Sequence, residues 1–214
     1  MPRNALAPAL ACLVSLALAS PVQAGRLYTW TTTDPPVAIA DGTGTFVACQ
    51  NVQVPTVSPV ICPLEVEISA AHTWIGDLTV RLTSPNGQRL TLMNRPGRTA
   101  TGFGNGDRLE GSAPVLFSDT AASNVSAEDM GDGCVGTIGV TAGCPDNYLP
   151  APDEFDTPIP GEGVNLQGFF FGPLNGTWTL CVADSVNSDV GTLFSWTLSM
   201  DVLWPVELLS FTIE

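Results

Sequence analysis

The feature that most limits the folding of this chain is strict alternation of apolar and polar residues in short runs that end in turn signals. Leu78, Val80 and Leu82 alternate with Thr79, Arg81 and Thr83. Ser84-Pro85-Asn86-Gly87 follows, and Leu90 and Leu92 then resume the pattern. Proline suits the first central position of a turn and Asn-Gly supplies positive φ, so this stretch predicts a hairpin. Upstream, Leu64, Val66 and Ile68 alternate with Glu65 and Glu67 as one half-buried strand. Near the other end, Trp178, Leu180 and Val182 face one way and Thr177, Thr179 and Cys181 the other. A further inward row is expected from Phe194, Trp196, Leu198, Met200 and Val202. No amphipathic helical period of useful length is present beyond the N-terminal segment, and many short strands parted by turns indicate an all-β sandwich of jelly-roll type.

The N-terminus has a different character. Arg3, an apolar run from Ala5 to Ala19 and Val22-Gln23-Ala24 form the three parts of a secretory signal peptide, residues 1–24. The run is shorter than the roughly 20 residues a membrane-spanning helix needs. The sequence therefore predicts an exported product, secreted, periplasmic or at the cell surface, without a membrane span. Residues 25–36 are expected to be an extended lead-in, residues 37–203 the sandwich, and residues 204–214 a tail or edge strand after the Pro205 break.

Charge narrows the partners. The net charge is −14 and the chain contains no lysine. Nucleic acid is excluded as a partner, since phosphates require a basic face. An acidic surface suits solubility and attracts cations.

Export permits disulfides. Once Cys12 leaves with the signal peptide, Cys49, Cys62, Cys134, Cys144 and Cys181 remain. Proximity along the chain favours Cys49–Cys62 and Cys134–Cys144, with Cys181 left over. The alternative is that Cys49 or Cys62 pairs with Cys181 on a neighbouring strand; sequence alone leaves the connectivity open. Residues 94–165 are rich in Gly, Pro, Asp, Asn and Ser, with Val115-Leu116-Phe117 as the clearest strand fragment. A structureless loop of that length is uncommon, so short strands are expected within it.

Catalytic chemistry has few supports. The single histidine, His72, starts the segment His72-Thr73-Trp74-Ile75-Gly76-Asp77. No serine nucleophile segment of subtilisin type, Gly-x-Ser-x-Gly or His-Glu-x-x-His is present. The expected role of His72 is structural. Glu65 and Glu67 share one strand face, but as solvated charges rather than a glycosidase pair. Trp178 and Trp196 fall in inward rows, which favours core packing over a sugar-binding face.

Two blocks carry a family resemblance. His72-Thr73-Trp74-Ile75-Gly76-Asp77-Leu78 leads into the first core strand, and Gly176-Thr177-Trp178-Thr179-Leu180 runs on to Gly191-Thr192-Leu193-Phe194-Ser195-Trp196. Together they resemble the first and last blocks of the P domain, or Homo B domain, of subtilisin-like proprotein convertases. Val37-Ala38-Ile39-Ala40-Asp41-Gly42 resembles the family's entry segment, Asn94-Arg95-Pro96-Gly97 the segment after the second strand, and Leu116-Phe117-Ser118-Asp119-Thr120-Ala121 an internal element. The resemblance covers Val37 to Val202; the segment from Glu128 to Asp156 has no counterpart. It implies a galactose-binding-like jelly-roll sandwich, often calcium-binding, that supports an attached protease. Asp77, Asp119, Asp184 and Asp189 are the candidate calcium ligands, since Ca2+ takes six to eight oxygens. The expected function is a non-catalytic module for protein interaction or stabilisation. The alternatives are an accessory domain of a subtilisin-like endopeptidase and a calcium-dependent carbohydrate-binding module.

Overall fold

The structure is a computed structural model and describes residues 26–56, 60–99, 102–132, 136–141, 144–150, 163 and 165–202. The expected signal peptide and the tail 204–214 lie outside the described residues. The chain folds as the expected all-β sandwich. Its strands are β1 (Arg26–Thr31), β2 (Val37–Ile39), β3 (Ala48–Val54), β4 (Val60–His72), β5 (Leu78–Thr83), β6 (Arg89–Asn94), β7 (Val115–Ser118), β8 (Asn147–Tyr148), β9 (Gly176–Asp184) and β10 (Gly191–Val202). No α-helix occurs among the described residues; three 3-10 turns cover Ile75–Asp77, Ala127–Asp129 and Leu166–Phe171. No helix among these residues is long and apolar enough to cross a membrane.

One sheet has the order β1-β10-β4-β7-β8, with β2 also paired to β10; the other has the order β3-β9-β5-β6. The alternation in β4 and β5 does what its period requires. Leu64, Val66, Ile68, Leu78, Val80 and Leu82 are buried, and the residues between them face outward or sit half-buried. Trp178 and Trp196 are buried from opposite sheets. Both indole N–H groups find carbonyls, Leu174 at 2.8 Å and Gln50 at 3.2 Å. These rings belong to the core, not to a sugar-binding surface. The hairpin turn also forms: Gly87 N–H donates to the Ser84 carbonyl at 2.9 Å, and Gly87 takes φ 83°.

In β10 the inward row departs from simple alternation. A bulge lies between Leu193 and Ser195, so Leu193 and Trp196 are both buried while Phe194 turns outward and is 39% exposed. One extra residue in a strand reverses the facing of everything beyond it. Phe194 is therefore not an inward residue, and its ring lies over Gly111, where a Cβ would come within 2.4 Å of the ring.

The segment expected as a lead-in is integrated into the sandwich. Residues 26–31 form β1, paired antiparallel to β10 from Arg26↔Val202 to Thr31↔Thr197. Further along the same edge of β10, β2 pairs from Leu193↔Val37 to Gly191↔Ile39. Pro35 and Pro36, which lack N–H donors, lie between these two edge strands. The side chain of Gln50, fully buried and pointing in from β3 of the other sheet, bridges the gap. Its Nε2 lies 3.0 Å from the Pro35 carbonyl, 3.1 Å from that of Phe194 and 3.4 Å from that of Leu193.

Within residues 94–165 the expected short strands are β7 and β8. β7 pairs antiparallel with β4 and β8 parallel with β7. Disulfide connectivity corrects the sequence expectation. Cys49 is bonded to Cys181, directly opposite in the β3–β9 ladder, and not to Cys62. Strand adjacency, not nearness along the chain, decides the pairing: Cys62 lies on β4, in the other sheet. Cys144 is disulfide-bonded, and the expected pair Cys134–Cys144 involves Cys134, outside the described residues.

Cys49 and Cys181 are 132 residues apart in sequence, so their bond closes a long loop and restricts the unfolded chain strongly. Replacing both by alanine is expected to lower stability by roughly 2–5 kcal/mol in urea unfolding. Non-reducing peptide mapping of the parent chain is expected to yield the 49–181 peptide pair.

Candidate functional site

The candidate site lies at the end of the sandwich where β4 leads into β5 and β9 into β10. After β4, the 3-10 turn Ile75–Asp77 reverses the chain. Gly76 permits it. A Cβ there would meet the Phe103 carbonyl oxygen at 2.5 Å and the Asn105 nitrogen at 2.6 Å. The loop carrying these residues is pinned by hydrogen bonds from Ile75 N–H to the Asp107 carbonyl and from Gly76 N–H to the Asn105 carbonyl, each 2.9 Å. Trp74 adds an indole N–H bond to the Phe103 carbonyl at 3.2 Å, and its ring covers Gly106. On the other side, Ser185 N–H donates to the Asp77 carbonyl at 3.0 Å.

His72 is buried beneath this turn, 2% exposed. Its Nε2 lies 3.2 Å from Asp184 Oδ2, and its Nδ1 lies 2.8 Å from the Trp74 carbonyl and 3.2 Å from the Trp74 nitrogen. A carboxylate only accepts, so Nε2 carries the hydrogen. In the neutral ring Nδ1 accepts from Trp74 N–H; in the protonated ring it donates to the Trp74 carbonyl. Both ring nitrogens are therefore engaged, which supports the structural role expected for the histidine.

The four candidate aspartates separate into distinct roles. Asp184 is fully buried; Oδ2 accepts from His72 and Oδ1 from Val186 N–H at 3.0 Å. Asp119 accepts from Leu166 N–H at 3.0 Å and Gln167 N–H at 2.9 Å, capping the 3-10 turn Leu166–Phe171. Asp189, half-buried, accepts from the Thr73 hydroxyl at 2.6 Å. Asp77 differs from all of these: it is 1% exposed and, among the described residues, its Oδ1 has no hydrogen-bond partner. Asp77 and Asp189 share a cavity of about 200 Å³ with Trp74, Phe103, Val186 and Asn187.

The calcium candidates Asp77, Asp119, Asp184 and Asp189 do not all meet at one place. Asp119 caps a different element, and each oxygen of Asp184 accepts one hydrogen bond. Asp77 and Asp189 share one cavity, lined otherwise by Trp74, Phe103, Val186 and Asn187. Among the described residues no group of three His, Cys, Asp or Glu side chains gathers at metal-binding geometry.

Burial, then the charges of Asp184 and Asp189, push the Asp77 carboxyl up to about 6, against the opposing pull of Arg95 and His72. Sequence reasoning did mark Asp77 but missed Phe103 as its neighbour. The only available signal was the glycine spacing of Gly102, Gly104 and Gly106, which lets that loop approach closely.

Residues 62–113 match the proprotein convertase P-domain family. That stretch contains most of β4, the Ile75–Asp77 turn, the β5–β6 hairpin and Phe103. No curated protein matches the chain. Among solved structures, the serine protease of Aeromonas sobria is 18% identical, over 87% of this chain and 28% of that one, with a TM-score of 0.41. The complex of the Aeromonas sobria serine protease and the chaperone gives 16% identity over 87% of this chain and 28% of that one, with a TM-score of 0.42. The present chain thus spans 28% of the length of those solved chains.

Two variants probe the carboxylates. His72→Ala leaves Asp184 buried without its ring partner and is expected to cost about 3 kcal/mol in urea unfolding. For Asp77, the folded chain holds the proton more tightly than the unfolded chain, whose value is near 3.8. Its stabilising contribution is complete below about pH 4 and is lost as pH rises through about 6. Asp77→Asn should accordingly come close to the parent near pH 4 and exceed its stability by about 3 kcal/mol at pH 7.5, read as the difference between paired unfolding curves in chelator.

Over residues 62–113, from within β4 to beyond Phe103, the chain is thus similar to the proprotein convertase P-domain family.

Proposed function

We propose that this chain is an exported, non-catalytic accessory module that docks on a subtilisin-like serine protease and stabilises it. The observation that carries the reading is the P-domain match over residues 62–113, the stretch that builds the site end of the sandwich. The state of His72 supports it. The sole histidine of the sequence is buried, with one ring nitrogen held by Asp184 and the other by the Trp74 backbone, and so offers no exposed base to a serine nucleophile. The Cys49–Cys181 bond suits an oxidising compartment and hence export.

In this reading the rigid end of the sandwich is a contact surface rather than a reaction centre, and the working unit is the complex with the protease. Affinity capture from the native culture medium, with this chain as bait, is expected to retain a peptidase sensitive to serine-directed inhibitors. Recovery of partners without peptidase activity would favour the broader role, stabilisation of a surface assembly. Peptidase activity intrinsic to the purified chain and unchanged in His72→Ala would overturn the non-catalytic reading.

A further inference from the structure

The cavity at the sandwich end combines features that its role in the fold does not require. Asp77 is almost wholly buried, yet among the described residues its Oδ1 has no hydrogen-bond partner. Leaving a buried acceptor unmatched is costly, and more so when it is charged. Asp189 brings a second carboxylate to the same cavity. Around these acids stand Trp74, Phe103 and Val186, and Phe103 is 64% exposed although large and apolar.

We propose that this cavity receives the side chain of an arginine or lysine supplied by a partner protein. Anions are repelled by the paired carboxylates. A bare metal ion would leave the apolar walls unused. A basic side chain satisfies both halves at once: its charged head donates to Asp77 Oδ1 and Asp189, while its aliphatic stem lies against Trp74, Phe103 and Val186. Aromatic faces also attract such cations directly. The roughly 200 Å³ available suits a single side chain. The occupant is foreign as far as lysine is concerned, for the chain has none. The inference deepens the docking reading above by naming what the surface grips.

The test uses the folded, isotope-labelled chain at fixed ionic strength, with n-butylguanidinium, n-butylammonium, n-butanol and calcium chloride as separate probes. The Trp74 indole N–H resonance, assigned through Trp74→Phe, reports occupancy. Both organic cations are expected to shift it saturably at millimolar concentration, and butanol to require at least about tenfold more. Asp77→Asn should weaken the cations about tenfold with the rest of the spectrum unchanged. Asp189→Asn gives the same reading at a less buried position if the first variant fails to fold.

Equal response to butanol would overturn the proposal in favour of a purely apolar pocket. Saturation by calcium below the concentrations at which the organic cations act would overturn it in favour of a metal site. No saturable shift with either organic cation would also overturn it. These failures are separable from failure of the protease reading: capture of a non-protease partner leaves the fragment result standing, and absent fragment binding leaves a captured protease standing.

Discussion

The buried contact between His72 and Asp184 is the constraint on which the functional end of this molecule depends. It joins the last residue of β4 to the last residue of β9, one from each sheet, across 112 positions of sequence. Most of the contact between the sheets is non-directional and apolar; at this end a directional bond sets their relative position, as the Gln50 and Trp196 bonds do between β3 and β10. The geometry reaches into the backbone nearby. Gly191, opposite His72 in the β4–β10 ladder, leaves room for the ring, since a Cβ there would lie 2.4 Å from His72 Cδ2. With the ring fixed, Trp74 is held through its backbone, the Ile75–Asp77 turn follows, and Asp77 is carried into the cavity. A polar pair inside an apolar sandwich contributes little net stability against well-packed hydrophobic residues, but losing one partner is costly. Its value here is positional.

Gln50 plays the corresponding part at the β10 edge. An inward position of β3 that would ordinarily take Val or Leu holds an amide, whose Nε2 lies within hydrogen-bond distance of the Pro35, Leu193 and Phe194 carbonyls. Among the described residues its own Oε1 has no partner. The bulge at Phe194 is thus supported from the far sheet, and the switch in side-chain facing that it causes is a property of both sheets together.

Much of the fold is legible in the residues. Period-two alternation marks β4, β5 and β9, and Ser84-Pro85-Asn86-Gly87 announces its hairpin, because these signals depend only on local geometry. What the sequence conceals depends on long-range adjacency. Cys49 meets Cys181 only because β3 and β9 are neighbours. The inward row of β10 breaks at a bulge that local alternation does not announce. Residues 26–31 carry too little apolar pattern to declare a strand, and join the sheet because β10 offers a free edge. The candidate site is legible by half. Asp77, Asp184 and Asp189 do gather at one end, but their hydrogen-bond states, which distinguish a satisfied brace from an unmatched acceptor, depend on His72, Val186 and Thr73 arriving from elsewhere. Asp119 carries no local mark that separates a 3-10 cap from a ligand.

The pairing of Arg26 with Val202 has a mechanical consequence. The described domain is entered and left at neighbouring points of one sheet edge. Tension applied across that doorway would part β1 from β10 like a zipper, one ladder bond at a time, rather than shear many at once. Pulled further, the chain would reach the crosslink between Cys49 and Cys181, beyond which the enclosed strands β4 to β8 carry no load. Such a module yields gradually at its tether while its core, and the surface it presents, keep their shape.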